Sequence, residues 1–192
     1  MNNNEIFDMK LENKPQKEMN AKTKKFLIYS LCAVIGIIVA AAAIFLFDYI
    51  FAGAATPQEA VANYQKASFT YDIDGMVEYS SYYNKIVLYG NNETSDRLLK
   101  AYLKKGYEGY ESSYKEENMS FKLVSSLEYE RGEGRYDEFM EIYCQKVENG
   151  RDEVDSVALV KMTIDNGKSV TTREYIAVKC GFRWFFAFGV GV

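Results

Sequence analysis

The chain of 192 residues contains no histidine, which removes the residue most often used as a general base and metal ligand near neutral pH. Serine–histidine and cysteine–histidine nucleophile systems are excluded, as are zinc sites built on imidazole. Cysteine is scarce, with three residues, and none belongs to a C-x-x-C pair that would signal a redox or zinc motif. Cys32 lies inside an apolar run, which leaves Cys144 and Cys180 for the folded part. Those two can form a disulfide outside the cytoplasm or be buried separately as small apolar residues, and the sequence leaves both open. No internal repeat or low-complexity segment interrupts the chain.

Charge is distributed unevenly. The net charge is -4. Residues 1–25 carry six Lys against four acids (Glu5, Asp8, Glu12 and Glu18), and Asp48 adds one negative charge, so the remainder sums to -5. An acidic domain repels phosphate backbones and anionic polymers, because nonspecific binding to either depends on Lys and Arg displacing counterions. Nucleic acid is therefore not an expected partner.

Charge is missing altogether from Phe26 to Phe47, "FLIYSLCAVIGIIVAAAAIFLF", a run of 22 residues. At about 1.5 Å per residue, such a helix is about 33 Å long and matches a bilayer core. A helix buried in a soluble protein would need a large core around it, which the polar remainder cannot supply. The small residues at Ala52–Ala55 offer a signal-peptidase site, but the apolar run exceeds a signal h-region and follows a 25-residue polar tail, which favours a retained anchor. Lys22, Lys24 and Lys25 crowd its N-terminal edge, whereas Asp48 and Glu59 are the first charges beyond the other. The positive-inside rule then places the N-terminus in the cytoplasm. The expected order is a cytoplasmic tail over residues 1–25, a transmembrane helix over 26–51, a linker over 52–55 and an extracytoplasmic domain over 56–192.

Within that domain, Thr56 and Glu59 form a capping box with Pro57 at the first helical position, which predicts a helix buried along Ala60, Val61, Tyr64 and Ala67. Asp72 is the expected cap of a second helix carrying Ile73, Met76, Val77 and Ser80. A third is expected over 95–114, weakened by Gly106 and Gly109. Alternation predicts a strand over 120–130, and Tyr136, Phe139, Met140, Tyr143, Cys144 and Val147 keep helical spacing. The remainder is rich in β-branched and aromatic residues, with "DNGK" at Asp165–Lys168 as a hairpin signal, and predicts three consecutive antiparallel strands. Helices followed by a curved antiparallel sheet give an α+β domain with helices covering one face of the sheet.

The opening "TPQEAV..Y..A", the following "YDIDGMVEYS" and the closing "VKCGFRWFF" resemble the NTF2-like superfamily, in particular the bacterial DUF4878/DUF5105-type domains of lipoproteins and single-pass membrane proteins. The resemblance covers about Thr56 to Val190. It implies a cone, in which a curved sheet wraps the N-terminal helices around a pocket at the open end. Lys179, Gly181, Arg183 and Trp184 follow the order in which those relatives end, with Phe182 inserted between the glycine and the basic residue.

Asp72, Asp74 and Gly75 suggest a calcium loop only superficially, because Met76 and Val77 occupy positions where further oxygen ligands belong. No metal or cofactor is expected. The 16 Tyr are the most unusual feature, and Tyr64, Tyr79, Tyr102, Tyr143 and Trp184 are the candidate walls of a binding cavity. Tyrosine hydroxyls beside a carboxylate of raised pKa could polarise a carbonyl, but no carboxylate falls inside an apolar predicted strand face. The expected function is a noncatalytic, membrane-anchored interaction module of a bacterial cell envelope with an envelope protein or peptide as partner. An assembly subunit of a secretion or conjugation machine is its narrower form, an enzyme on a small apolar carbonyl compound is the rival, and homo-oligomerisation stays open.

Overall fold

The computed structural model describes residues 20–89 and 95–191. The chain divides into two compact units, Met1–Leu46 and Phe47–Val192. A helix of 31 residues, α1 (Ala21–Phe51), contains most of the first unit's described residues. Its side chains are described without a gap only over Tyr29–Ala42, and every one of these is exposed. Among the described residues no helix is long and apolar enough to cross a membrane; the span expected over 26–51 reaches beyond the described stretch at both ends. The tail expected over 1–25 lies, up to Met19, outside the described residues.

The second unit is an α+β domain. Its helices are α2 (Pro57–Thr70), α3 (Ile73–Glu78), α4 (Tyr82–Tyr89), α5 (Asp96–Gly106), α6 (Gly134–Cys144) and the short α7 (Gly150–Glu153). Its strands are β1 (Ser120–Glu130), β2 (Ser156–Asp165), β3 (Val170–Cys180) and β4 (Arg183–Gly189), joined antiparallel in the order β1-β2-β3-β4. The Thr56 hydroxyl accepts from the Glu59 backbone N–H at 3.3 Å, so α2 begins where its capping box places it. It ends at Tyr71, whose φ of 59° turns the chain sharply, and Asp72 then caps α3 by accepting from the Gly75 N–H at 3.2 Å.

Two expectations change. The third helix stops at Gly106 instead of reaching 114, because two glycines within four residues remove the incentive to continue. An additional short helix, α4, forms where the sequence shows no clean period.

The sheet is also covered on both faces, not one. Ala158, Val160, Met162 and Ile164 of β2 join Ala60, Val61, Tyr64 and Ala67 of α2 in one core cluster. Val157, on the opposite pleat, joins Tyr136, Phe139, Met140 and Tyr143 of α6 in a second, together with Ile176 and Val178 of β3. Successive strand residues point to opposite faces, so α2 and α6 lie on opposite sides of the sheet. The reason is in the run Val157–Val160, which is apolar at four consecutive positions, as a strand buried on both faces must be.

Both hairpins close tightly. Asp165 pairs with Val170, and the Asn166 side-chain oxygen accepts from the N–H groups of Lys168 and Ser169 at 3.0 and 2.9 Å. Cys180 pairs with Arg183 across the two-residue turn Gly181–Phe182, with φ of 61° at Gly181. Positive φ at the first central position alone is the type II′ pattern, which needs glycine there. The inserted Phe182 is thus the second turn residue, 90 % exposed.

Trp184 is 4 % exposed and packs in the α2-side cluster. Its backbone exchanges two hydrogen bonds of 2.9 Å with Ala54. Trp184→Ala is expected to cost about 3 to 5 kcal/mol, from lost burial plus the cavity left behind. Chemical unfolding followed by circular dichroism checks this, and a loss below about 1 kcal/mol would remove the ring from the core.

Candidate functional site

The five aromatic residues singled out by sequence do not share one wall. Tyr64 and Trp184 belong to the α2-side cluster and Tyr79 packs against it. Tyr143 belongs to the α6-side cluster, and Tyr102 on α5 is 56 % exposed. Two of them, Tyr64 and Tyr143, instead converge on a buried polar group supplied by the start of α4.

That group consists of Ser80, Ser81 and Asn84, the only polar residues among those described that are buried. The backbone positions them. Phe186 of β4 donates its N–H to the Tyr79 carbonyl, and Ser81 donates to the Phe186 carbonyl, both at 2.8 Å. The segment entering α4 is thereby held along the outer edge of β4. From there the Ser81 hydroxyl accepts from the Asn84 N–H at 3.3 Å, capping the helix. The Asn84 amide donates to the Ser80 hydroxyl at 2.7 Å, and Ser80 passes the chain on to the Met76 carbonyl.

Tyr64 meets this chain from α2. Its ring stacks on Phe186 at 4.0 Å between centroids, with planes 5° apart. Burial raises its pKa, and a hydrogen bond with the Asn84 side chain opposes that rise. Tyr143 meets it from α6. Its hydroxyl is buried without a hydrogen bond of good geometry. Burial pushes it far above the ordinary tyrosine range, although Ser81 and the backbone of Tyr83 lie close enough to oppose the effect.

Chemically, the group is a neutral relay of hydroxyls and one amide. Desolvation keeps both tyrosines protonated, so they can donate hydrogen bonds but cannot act as bases at neutral pH. Tyr79 is also raised, chiefly by burial and then by the nearby Glu78, with Asp72 and Glu59 adding smaller effects. Those three carboxylates are exposed, so none combines the burial and the tyrosine contact that a carbonyl-polarising pair needs. Among the described residues no group of three or more Asp, Glu or Cys could hold a metal ion.

Cys144 and Cys180 are free, half-buried thiols packed against the α6-side cluster. Burial, with smaller contributions from Glu153 and Asp155, pushes Cys180 up to about 12.

Asn84 was not among the residues the sequence singled out. Its one sequence signal is the pair Ser80–Ser81 before "YYNKIVLY", a cap at the right distance from a polar residue that has no reason to be buried until β4 is in place.

Removing an unpaired buried hydroxyl relieves its desolvation, whereas removing a paired amide strands its partners. Tyr143→Phe should therefore leave stability unchanged or raise it by up to about 1 kcal/mol, while Asn84→Ala should cost about 1 to 3 kcal/mol. Denaturant melts of the two variants read this directly, and equal losses would dissolve the distinction.

A pH profile tests the same groups together. With no His in the chain, nothing with an ordinary pKa between about 5 and 8 is available among the side chains, and stability should be flat there. Cys180, Tyr64, Tyr143 and Tyr175 all have pKa values raised in the folded state from ordinary values of 9.0 or 10.0. The unfolded chain then releases protons that the folded chain keeps, so stability is fully present below pH 9 and falls steadily above it. Melts across that range should show an alkaline decline with no step near neutrality.

No protein-family model, no curated protein and no solved structure matches the chain.

Proposed function

We propose that the chain is a membrane-anchored interaction module, with its N-terminus in the cytoplasm and its α+β domain outside, in a bacterial cell envelope. The observation that carries this is α1. From Tyr29 to Ala42 every side chain is exposed, and the stretch is apolar around its whole circumference, including Leu31, Val34, Ile35, Ile37, Ile38 and Val39. A soluble helix keeps one polar face, whereas a helix apolar on all sides needs either a core around it or lipid. The charge-free sequence continues to Phe47, long enough for the latter. Lys22, Lys24 and Lys25 at one end set the direction.

The α+β domain is read as NTF2-like. Its support is the order of elements, helices before a four-stranded antiparallel meander, and α2 packing against all four strands. The interaction role, with an envelope protein or peptide as partner, is supported by the buried polar group Ser80, Ser81 and Asn84, which among the described residues includes neither a carboxylate nor a nucleophile–base pair. The narrower reading, an assembly subunit of an envelope secretion or conjugation machine, is supported by a charge-free apolar segment followed closely by an α+β domain.

Alkaline carbonate extraction should leave the full chain in the membrane fraction, and protease added outside intact cells should digest from Thr56 onward while an N-terminal tag survives. Release of the chain by carbonate, or protection of the domain from protease, would overturn the anchor or its direction respectively.

A further inference from the structure

Phe182 is the most exposed large apolar residue among those described, at 90 %. Nothing in its turn requires it. Gly181 supplies the positive φ of a type II′ turn, and the second central position is ordinarily filled by a polar residue such as Asn, Asp or Ser. The turn itself is held in place: Asp155 accepts the Gly181 N–H at 2.9 Å, and the ladder of β3 and β4 closes at Cys180 against Arg183. A single exposed apolar side chain is ordinary on a protein surface, so its meaning depends on where the turn stands.

It stands at the end of the sheet where the chain enters the domain. Ala54 exchanges two backbone hydrogen bonds with Trp184, two residues beyond Phe182. The charge-free run ends at Phe47, seven residues before Ala54, which is at most about 25 Å even in fully extended chain. The turn between β2 and β3 lies at the other end of β3, where Val170 is separated from Cys180 by about 33 Å of strand. Of the two ends of the sheet, the one that carries Phe182 is therefore tied more closely to a bilayer that holds residues 26–51.

The neighbours of the turn suit an anionic lipid surface. Lys179 and Arg183 are half-buried and flank Phe182 on opposite pleats. Lys179 pairs with Trp184 on the α2 side, its ammonium 6.0 Å from the ring centre, and Arg183 pairs with Cys180 on the α6 side. Basic side chains with buried stems extend their heads to lipid phosphates, while an aromatic ring between them enters the headgroup boundary. Glu153 and Asp155 are the acids close to Cys180, and Asp155 is engaged by the Gly181 N–H.

The geometry points to a second membrane contact, in which the turn Gly181–Phe182 rests in the headgroup layer of an anionic bilayer with Phe182 inserted and Lys179 and Arg183 against lipid phosphates. The inference rests on the reading of α1 as an anchor. Tethering makes a weak contact sufficient, because a turn already held beside the bilayer meets lipid at high effective concentration. Two points of attachment fix which side of the domain faces the membrane, where a single span leaves it free to turn.

The test uses the full chain reconstituted in vesicles of phosphatidylethanolamine and phosphatidylglycerol. Trp184 is the one tryptophan of the chain and is buried, so Phe182→Trp adds a surface reporter without touching the core. The added emission should be blue-shifted, and acyl chains brominated near the headgroup should quench it about twofold or more. Val170→Trp, at the opposite end of β3, should be quenched no more than the parent. Replacing phosphatidylglycerol with phosphatidylcholine, or combining Phe182→Trp with Lys179→Glu, should each lower the added quenching about twofold. Quenching indifferent to both charge changes would overturn the part given to the basic residues. A blue-shifted emission that brominated lipid does not quench would place another protein surface over the turn and overturn the lipid contact. Release of the chain from the vesicles by alkaline carbonate would overturn the anchor, whereas a retained chain whose added indole emits as in water would overturn the contact of the turn alone.

Discussion

Phe186 is the residue on which the domain's architecture turns. Its backbone holds the Tyr79–Ser81 segment against the edge of β4, its ring carries the stacked Tyr64 of α2, and its neighbours in β3 and β4 complete both core clusters. Without that backbone pairing, the entry to α4 would have no fixed position, and Ser80, Ser81 and Asn84 would have no reason to leave water. The cost of burying three polar side chains is offset only because they satisfy one another and the helix ends nearby.

The buried polar group also joins the two halves of the core. Tyr64 belongs to the cluster under α2 and Tyr143 to the cluster under α6, on opposite faces of the sheet, yet both approach Ser81 and Asn84 around the β4 edge. The arrangement consists entirely of groups that remain neutral between acid and moderately alkaline conditions. With no histidine in the chain and tyrosine at its polar centre, the fold is expected to hold its stability between about pH 5 and 8.

Much of this was legible in the sequence because the signals were local. Thr56, Pro57 and Glu59 mark the start of α2 without help from the rest of the chain, and the β-branched runs with their turns place all four strands. Coverage of both sheet faces was written in Val157–Val160 and Tyr175–Val178, which are apolar at consecutive positions where a half-buried strand would alternate. The α4 segment was harder. Tyr83, Ile86 and Val87 are poor helix formers, and Asn84 occupies the buried face. That helix depends on its tertiary contacts more than on propensity, so single-sequence reasoning had nothing to hold. The candidate site was missed for the same reason: the five aromatics were chosen by residue type, whereas Tyr64 meets Asn84 and Tyr143 meets Ser81 on a segment held in place by Phe186, a residue of the last strand.

The pairing of Ala54 with Trp184 has a consequence for synthesis. Gly53, with φ of 77° and the Phe185 ring where a side chain would stand, is shaped to deliver Ala54 to β4. The opening residues of the domain therefore wait, unpaired, until nearly the whole domain has been made, and the Tyr79–Ser81 segment waits with them. Helices α2 and α3 can form as they emerge, but the two contacts that close the sheet edge arrive together with the final strand. Folding of the domain is thus expected to be a late, all-at-once event on the ribosome's timetable, with a chaperone's window open until β4 appears.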